Sequence, residues 1–494
     1  MIENKVPNAH SQLTLKRAII IGWHQIADTL VRQYERRGFV VSRQEKISSD
    51  GININEYDEL CLLANNNEDN KALSILEQFA AGFDKKKHND RRLLCHLLVH
   101  ENKTLQMLQT CDFCDSIRMK IDVYPFTIEE IWSHSIILDY EPITIRSDKH
   151  VHLVIFGMGE VAETVAIQAA HIAHYPNYIR NHSLRTRITM INENAETMRE
   201  VFNKRYQHLF DNSYYRVVKP SEEKPVKVFH KPMYDGKRED FVDVEWEFVE
   251  ADSWNLDVQE KLKQWARDDC QLLTVIMADR NEDNNVVMSL FIPDELYQRS
   301  IPIYKYDSTV EYDISMPIVQ MAKNVNYIYD RCYHDNIENW QGKLQVSVEI
   351  SSEEKDRLWA KLSNVRRLSS IYNAMTIPSK MRSIGLKEYD WENFYAITQQ
   401  DIELLAQVEH NRWSVVELIL GFRPCTDEEQ EIISTDVKTQ KDIYKTRKIH
   451  YDLRAYNELR PDGTGKPVQL YDLCLSACLP LIAKAFTDEK GGEI

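Results

Sequence analysis

No stretch of the 494 residues comes near the ~18 consecutive apolar residues that a membrane-spanning helix needs. The opening MIENKVPNAHSQLTLKR lacks the apolar core of a secretion signal, so a cytoplasmic location is expected. There is no long basic block, and the formal net charge is −16. A broad nucleic-acid face needs clustered Lys and Arg, so no nucleic-acid partner is expected, although a local basic pocket for a small anion stays open. Cysteine is sparse, at nine scattered residues, which fits reduced thiols. Cys111 and Cys114 have CxxC spacing, but no second pair completes a zinc site. Neither G-x-S-x-G, H-E-x-x-H nor a P-loop G-x-x-x-x-G-K-[ST] occurs, so no signature of nucleophilic, zinc or P-loop chemistry is present and catalysis is not indicated.

What is present is an ordinary globular balance, 43% apolar and 28% charged, long enough for roughly two to four domains. The spacing divides it into three segments. Over residues 1–148, RAIIIG (17–22), FVVSR, ELCLLA (59–64) and RRLLCHLLV (91–99) read as strands, with a helix over 25–38 ending at Gly38. Over 149–345 the order repeats: HLVIFG, a helix from Glu160 to about His174, RITMINEN (187–194), QLLTVIMAD (271–279) and IPIYKY (301–306). A polar insert at 219–240 reads as an exposed excursion. Strands alternating with helices predict two parallel-sheet α/β units, degenerate copies of one another. Over 346–494 long helical patterns take over, including SEEKDRLWAKLSNVRRLSSIYNAM and QQDIELLAQVEHNRWSVVELILG. The fold class is therefore α/β, two Rossmann-like domains followed by an all-α domain. Cys474 and Cys478, spaced i, i+4 in an apolar helix, read as core.

Residues 150–166, HVHLVIFGMGEVAETVA, carry G-x-G-x-x-A between a strand and a helix. Gly157 permits the tight turn, Gly159 lets backbone approach a pyrophosphate, and Ala162 allows helix and strand to pack closely. Asn192 stands where a ribose-binding acid is usual, with Glu193 beside it, and Asp279 closes the third strand. These six residues are the candidate nucleotide site. Glu160 works against it, because a carboxylate in the first helical turn repels phosphate. The first copy, Gly22-Trp23-His24-Gln25-Ile26-Ala27, keeps only its first glycine and reads as a unit that has lost its ligand.

After the third strand both copies carry NEDN, at 67–70 and 281–284, between an apolar strand and an apolar helix. That arrangement resembles the TrkA-N type of nucleotide-binding domain found in potassium-uptake regulators and in the RCK gating rings of potassium channels. The resemblance covers about the first two-thirds of the chain. It implies NAD(H) or an adenine nucleotide as ligand, face-to-face pairing into a homodimer or larger ring, and a separately encoded membrane channel or transporter as target.

The third segment resembles the RyR domain, named from the repeats of ryanodine receptors, through ELLAQVEHNRWSVVELILGFRP (403–424) and RKIHYDLRAYNEL (447–459). Tyr451 stands where that family has proline, and a polar insert at 426–445 parts the two halves. The resemblance implies a small-ligand or assembly domain. On one helix, i and i+3 share a face, pairing Glu409 with Arg412 and His410 with Trp413. In the binding reading Trp413 stacks on a ring and Arg412 meets phosphate or carboxylate, with Arg447 and His450 closing the pocket. In the structural reading Trp413 is core, Glu409–Arg412 is an ion pair, and Arg447, Lys448 and His450 form a solvated turn.

The expected protein is a cytoplasmic ligand sensor binding a nucleotide-type ligand. An NAD(P)-dependent oxidoreductase and a non-enzymatic assembly scaffold are the alternatives.

Overall fold

The computed structural model describes residues 15–137, 143–219, 239–334, 350–387, 398–436, 443–461 and 467–483. The chain divides into two compact units. One takes the residues up to Leu108, Asp112–Ile128 and Thr309–Ser315; the other takes Gln109–Cys111, Glu129–Ser308 and everything from Met316. The segment after residue 346 thus belongs to the same compact unit as the second sheet.

The first unit is built on five strands: β1 (Arg17–Ile21), β2 (Val40–Gln44), β3 (Glu59–Leu63), β4 (Leu93–Leu98) and β5 (Ile121–Phe126). They lie in the order β2-β1-β3-β4-β5, all pairs parallel. Parallel strands with helices on the faces are buried on both sides, which is why ELCLL is nearly all apolar and buried at every residue. Helix α1 (Ala27–Arg36) follows β1 and helix α2 (Asp69–Gly82) follows β3, the latter packing Ile75, Leu76 and Phe79 into the core of this sheet. The returning segment Thr309–Ser315 completes the unit. Tyr312 stacks on Phe126 with ring centroids 3.9 Å apart, and its hydroxyl shares a 2.8 Å hydrogen bond with Nδ1 of the buried His96. Gln33 Nε2 donates to the Tyr312 carbonyl at 2.9 Å.

Among the described residues the large sheet of the second unit has six strands: β6 (His150–Phe156), β7 (Thr186–Asn192), β8 (Tyr214–Val218), β9 (Val244–Glu250), β10 (Gln271–Met277) and β11 (Ile303–Lys305). Their order is β11-β10-β6-β7-β9-β8, again parallel throughout. Between the two sheets β1, β2, β3 and β4 correspond to β6, β7, β10 and β11 in the same spatial sequence, and an NEDN segment follows both β3 and β10.

Three strands of the two large sheets go beyond the sequence reading. One is β5. The others are β8 and β9, which extend the sheet beyond β7 where the pattern predicts an excursion leading directly to β10. Glutamates interrupt the apolar pattern of VEWEFVE (244–250), which hides a strand buried along nearly its whole length. The charge is matched inside the sheet: Glu245 accepts from Arg187 Nε at 2.6 Å, and Glu247 pairs with Arg216. Of the polar insert, 220–238 lies outside the described residues.

The remaining helices of the second unit used below are α3 (Ile128–Ile137), α4 (Glu160–Ile172), α5 (Ala195–Arg205), α6 (Leu256–Arg267), α7 (Glu282–Ser289), α8 (Pro317–His334), α9 (Ser352–Lys361), α10 (Asn364–Met375), α11 (Gln399–Ile419) and α12 (Gln469–Ala477). The pattern over 352–375 reads as one long helical stretch; it forms α9 and α10, separated at Leu362 and Ser363. Cys474 and Cys478 are buried as expected, whereas Cys111 and Cys114 are exposed free thiols. No helix among the described residues is long and apolar enough to cross a membrane.

Candidate functional site

In the second sheet the chain reverses its direction of winding between β6 and β10. Ligands of open α/β sheets settle in the crevice at the strand C-termini where this happens. Gly157 sits at the end of β6 with φ +117°, a conformation that strains any L residue. A Cβ there would lie 3.1 Å from the Ala278 carbonyl oxygen, across the switch point, and 3.6 Å from the Ala162 Cβ. Gly157 and Ala162 thus hold strand and helix close, the packing expected of them. Gly159 is the N-cap of α4, supplies no side-chain acceptor, and has no atom within 4 Å of where a Cβ would stand. The turn leaves open space at the positive end of a thirteen-residue helix.

The acidic first turn of α4 is neutralised by cations. Arg280, shortly beyond the end of β10, places Nη2 2.7 Å from Glu160 and 2.9 Å from the buried Glu129. Glu163 pairs with Arg205 and accepts from the Tyr206 hydroxyl at 3.0 Å. Sequence reasoning does not reach Arg280, Arg205 or Glu129. The signal for Arg280 is its place directly before NEDN.

The other three nucleotide-site candidates are engaged in their own loops. Asn192 Oδ1 accepts from the Asn194 backbone N–H at 2.9 Å, and Glu193 is reached by Asn194 Nδ2 at 3.4 Å. Asp279 accepts from the Asn281 N–H at 2.8 Å and from Asn284 Nδ2 at 3.0 Å. The NEDN segment itself starts a helix: Asn281 caps α7 by accepting from Asp283 N–H at 3.1 Å. In the first unit Asp69, which matches Asp283, accepts from the His100 and Glu101 N–H groups at 2.8 and 3.1 Å.

The first glycine turn is built differently. Gly22 has φ +103°, and a Cβ would fall 2.1 Å from the Leu63 carbonyl oxygen. His24 stands where Gly159 stands in the second copy, and its Nδ1 accepts from the Ile26 N–H at 3.4 Å.

Helix α4 is buried from Val161 to Ile172 except for Glu163. Towards its C-terminus Gln168 is a hub. Its Oε1 accepts from His134 Nε2 at 2.8 Å, and its Nε2 reaches the Tyr372 hydroxyl at 3.2 Å and Glu130 at 3.4 Å. Glu130 also accepts from Gln109 at 3.1 Å, and burial pushes its carboxyl up to about 7. Burial holds His134 down to about 4, so it is neutral. His171 stacks on Tyr372 at 3.9 Å. The glycine turn and α10 are therefore joined by one helix through named hydrogen bonds.

The helical candidates separate into two groups. Glu409 and Arg412, on α11, are enclosed, at 3% and 1% exposure, and Arg412 binds Glu409 through Nε at 2.9 Å and Nη2 at 2.6 Å. Lys380, unforeseen from sequence, adds a third contact at 2.7 Å. Burial opposes the Glu409 charge, but Arg412 and Lys380 override it and hold the carboxyl far below its usual range. His410, Trp413 and His450 come together as an aromatic cluster: Trp413 lies 5.5 Å from His410 and 4.8 Å edge-on from His450. His410 Nε2 lies 2.8 Å from the Arg454 carbonyl oxygen, and Tyr456 lines the same cluster at 5.7 Å. Arg447 is exposed. Among the described residues no group of three or more His, Cys, Asp and Glu side chains is arranged to hold a metal ion.

No family model matches the chain, and no curated protein matches it. Among solved structures it was matched to NtrX from Brucella abortus in complex with ADP, at 11% identity over 87% of this chain and 98% of that one, with a TM-score of 0.14. The same protein in complex with ATP gives 12% identity, the same coverage and a TM-score of 0.15. Likeness at that level does not extend to a common fold. The class of molecule is set by its own architecture: two parallel α/β sheets with a helical C-terminal region, one sheet carrying an open glycine turn at its switch point.

Proposed function

We propose that this protein is a ligand sensor whose second α/β sheet takes a nucleotide-type ligand, adenine-containing, at the Gly157–Gly159 turn. The observation that carries the reading is the open, uncapped N-terminus of α4 at the switch point of the sheet. A phosphate resting there would draw Arg280 from Glu160, exchanging one anionic partner for another. The signal would travel along α4, whose Gln168 and His171 engage Tyr372 on α10. A sensor works by binding two conformations unequally, and a rigid buried helix linking turn to helical region suits that task.

The resemblance to TrkA-N domains supports a nucleotide and extends the reading to control of potassium transport through a separate membrane channel or transporter. The resemblance to RyR domains supports a second small ligand at the Trp413, His410 and His450 cluster; the enclosure of Glu409 and Arg412 suits them to holding that helix in place.

The test is a thermal-shift screen of the whole chain against NAD, NADH, NADP, ATP, ADP, AMP, S-adenosylmethionine and cyclic nucleotides, repeated on Gly159→Asp. A ligand at about 100 times its Kd adds about 2.7 kcal/mol. Gly159 has φ −77° and free space, so the aspartate fits the backbone while its charge repels phosphate. The expected result is a shift with at least one nucleotide that is lost in the variant. A shift that survives in the folded variant, or none with any compound, rejects this site. Oxidation or reduction of a bound nicotinamide during turnover would favour the oxidoreductase instead.

A further inference from the structure

In the second unit, α8 and the chain from Leu470 to Ile482 run antiparallel. The Asn324 side-chain amide donates to the Leu481 and Ile482 carbonyls at 3.3 and 3.0 Å, and further along α8 Cys332 meets Leu470 and Cys474. Tyr471 stacks on Tyr329 between these points, with ring centroids 5.0 Å apart. Cys332, Leu470, Tyr471 and Cys474 form one buried cluster, and both of its cysteines are free thiols. Inside it the Cys332 thiol donates to the Cys474 Sγ at 3.0 Å. That separation is about 1 Å longer than the ~2.05 Å of a disulfide bond. The two residues are 142 apart in the chain, so their approach is a product of the tertiary fold.

We propose that Cys332 and Cys474 are a site of reversible oxidation, at which a hydroperoxide joins them as a disulfide that pins α12 to α8. In the first step the peroxide oxidises one sulfur to a sulfenic acid, and its O–O bond breaks to release water. In the second the other sulfur attacks the sulfenic acid, the S–S bond forms, and the hydroxyl leaves as water with the remaining thiol proton. Two thiols and one hydrogen peroxide thus become one disulfide and two waters. The second step is favoured because the attacking sulfur already stands beside its target. The first is slow. Thiolate is the reactive form, and the hydrogen bond from Cys332 together with burial holds the Cys474 thiol far above its usual range. Oxidation therefore waits on local opening of α12. The same enclosure shields the finished bond, because a reducing thiol must reach one of its sulfurs. Helix α12 also carries Asp472, 3.5 Å from Nδ1 of His410 in the Trp413 cluster, so the linked state fixes the helix that holds that histidine. The inference needs no nucleotide and no second ligand, and goes beyond the sensor reading.

The test exposes the whole folded chain, with its thiols reduced, to hydrogen peroxide. After quenching with catalase, the chain is unfolded in the presence of N-ethylmaleimide and mapped by mass spectrometry. The exposed Cys111 and Cys114 report that the oxidant has acted. The expected product joins Cys332 to Cys474, forms roughly tenfold or more slowly than Cys111 and Cys114 are oxidised, and is lost on adding dithiothreitol. It should form equally in Cys478→Ser, the neighbouring buried thiol being the rival partner. The urea midpoint of the linked chain should lie above that of the reduced chain, since a cross-link restricts the unfolded state. Three results would each overturn the proposal. They are a Cys332 that still takes up maleimide once Cys111 and Cys114 are fully oxidised, a bond from Cys332 to any cysteine other than Cys474, and a linked chain with an unchanged midpoint.

Discussion

Replacing Glu130 by glutamine removes a charge that the group around Gln168 must hold in the interior. The residue is 7% exposed, accepts from the amides of Gln109 and Gln168, and is raised to about 7 by burial. In the unfolded chain the carboxyl returns to 4.5. Between these values the folded state binds more protons than the unfolded state. The group's contribution to folding is therefore fully present below about pH 4.5, falls as pH rises, and is gone once pH passes 7. The loss is about 3 kcal/mol at full extent, from about 1.36 kcal/mol for each unit between the two values.

Two histidines act in the opposite sense at lower pH. His134 and His150 are both held down to about 4, largely by burial, so their contribution to folding grows from pH 4 to 6.5 and then stays level. Glu417, also raised to about 7 by burial, shares the window of Glu130. All three are present in both proteins, so they cancel when the two are compared. Urea unfolding of the whole chain, followed from pH 5 to 8.5, should show Glu130→Gln gaining on the wild type by about 1.4 kcal/mol per pH unit up to pH 7 and holding a level advantage above it. The introduced amide can still accept from Gln109 and Gln168 through its carbonyl oxygen, so the comparison isolates charge. Parallel stability curves for the two proteins would refute the argument.

Gly22→Ala and Gly157→Ala should differ in guanidinium titrations. Both carry positive φ, which costs about 1–3 kcal/mol, but only at Gly22 does the new carbon also meet a carbonyl oxygen at 2.1 Å, so that variant should lose more than ~4 kcal/mol or fail to fold. Equal losses would show that the backbone of the first unit yields freely. Glu409→Ala leaves Lys380 and Arg412 buried without their shared anion, and thermal and urea unfolding should report a loss of about 3–5 kcal/mol. A loss under ~1 kcal/mol would mean that water enters the cluster.

The parts of the fold visible in the sequence are those in which one periodicity dominates. β1, β3, β6 and β10 are apolar runs ended by glycine, alanine or a polar turn, and β2, β4 and β7 follow the same logic. β9 is hidden because Glu245 and Glu247 sit in its core, and their partners Arg187 and Arg216 are remote in sequence. The break between α9 and α10 falls within an unbroken helical pattern, where hydrophobic spacing alone carries no stop signal. At the sites, the i, i+3 rule places Glu409 with Arg412 and His410 with Trp413, because that geometry is local to one helix. Lys380, Arg280 and Glu130 act across elements, through contacts that only the tertiary fold creates.

The two glycine turns show how one fold position can be left open or filled. In both, the first glycine holds its strand against the carbonyl of the neighbouring third strand, so that glycine is required by packing and says little about binding. The difference lies two residues later. His24 fills the space with a ring and turns Nδ1 back onto the Ile26 N–H, taking a donor at the helix start that a phosphate would otherwise use. Gly159 does neither, and its helix carries no side-chain cap. Neither helix has a side-chain cap hydrogen bond, so the contrast is one of space: the end of α4 beside Gly159 keeps its field and open room, while the His24 ring occupies the matching position before α1. The glutamates on α4 that argue against an anion are each matched by an arginine, Glu160 by Arg280 and Glu163 by Arg205, which removes much of their repulsion. Under the proposed reading, the thermal shift given by a nucleotide should be lost on changing residue 159 and unaffected by changing residue 24.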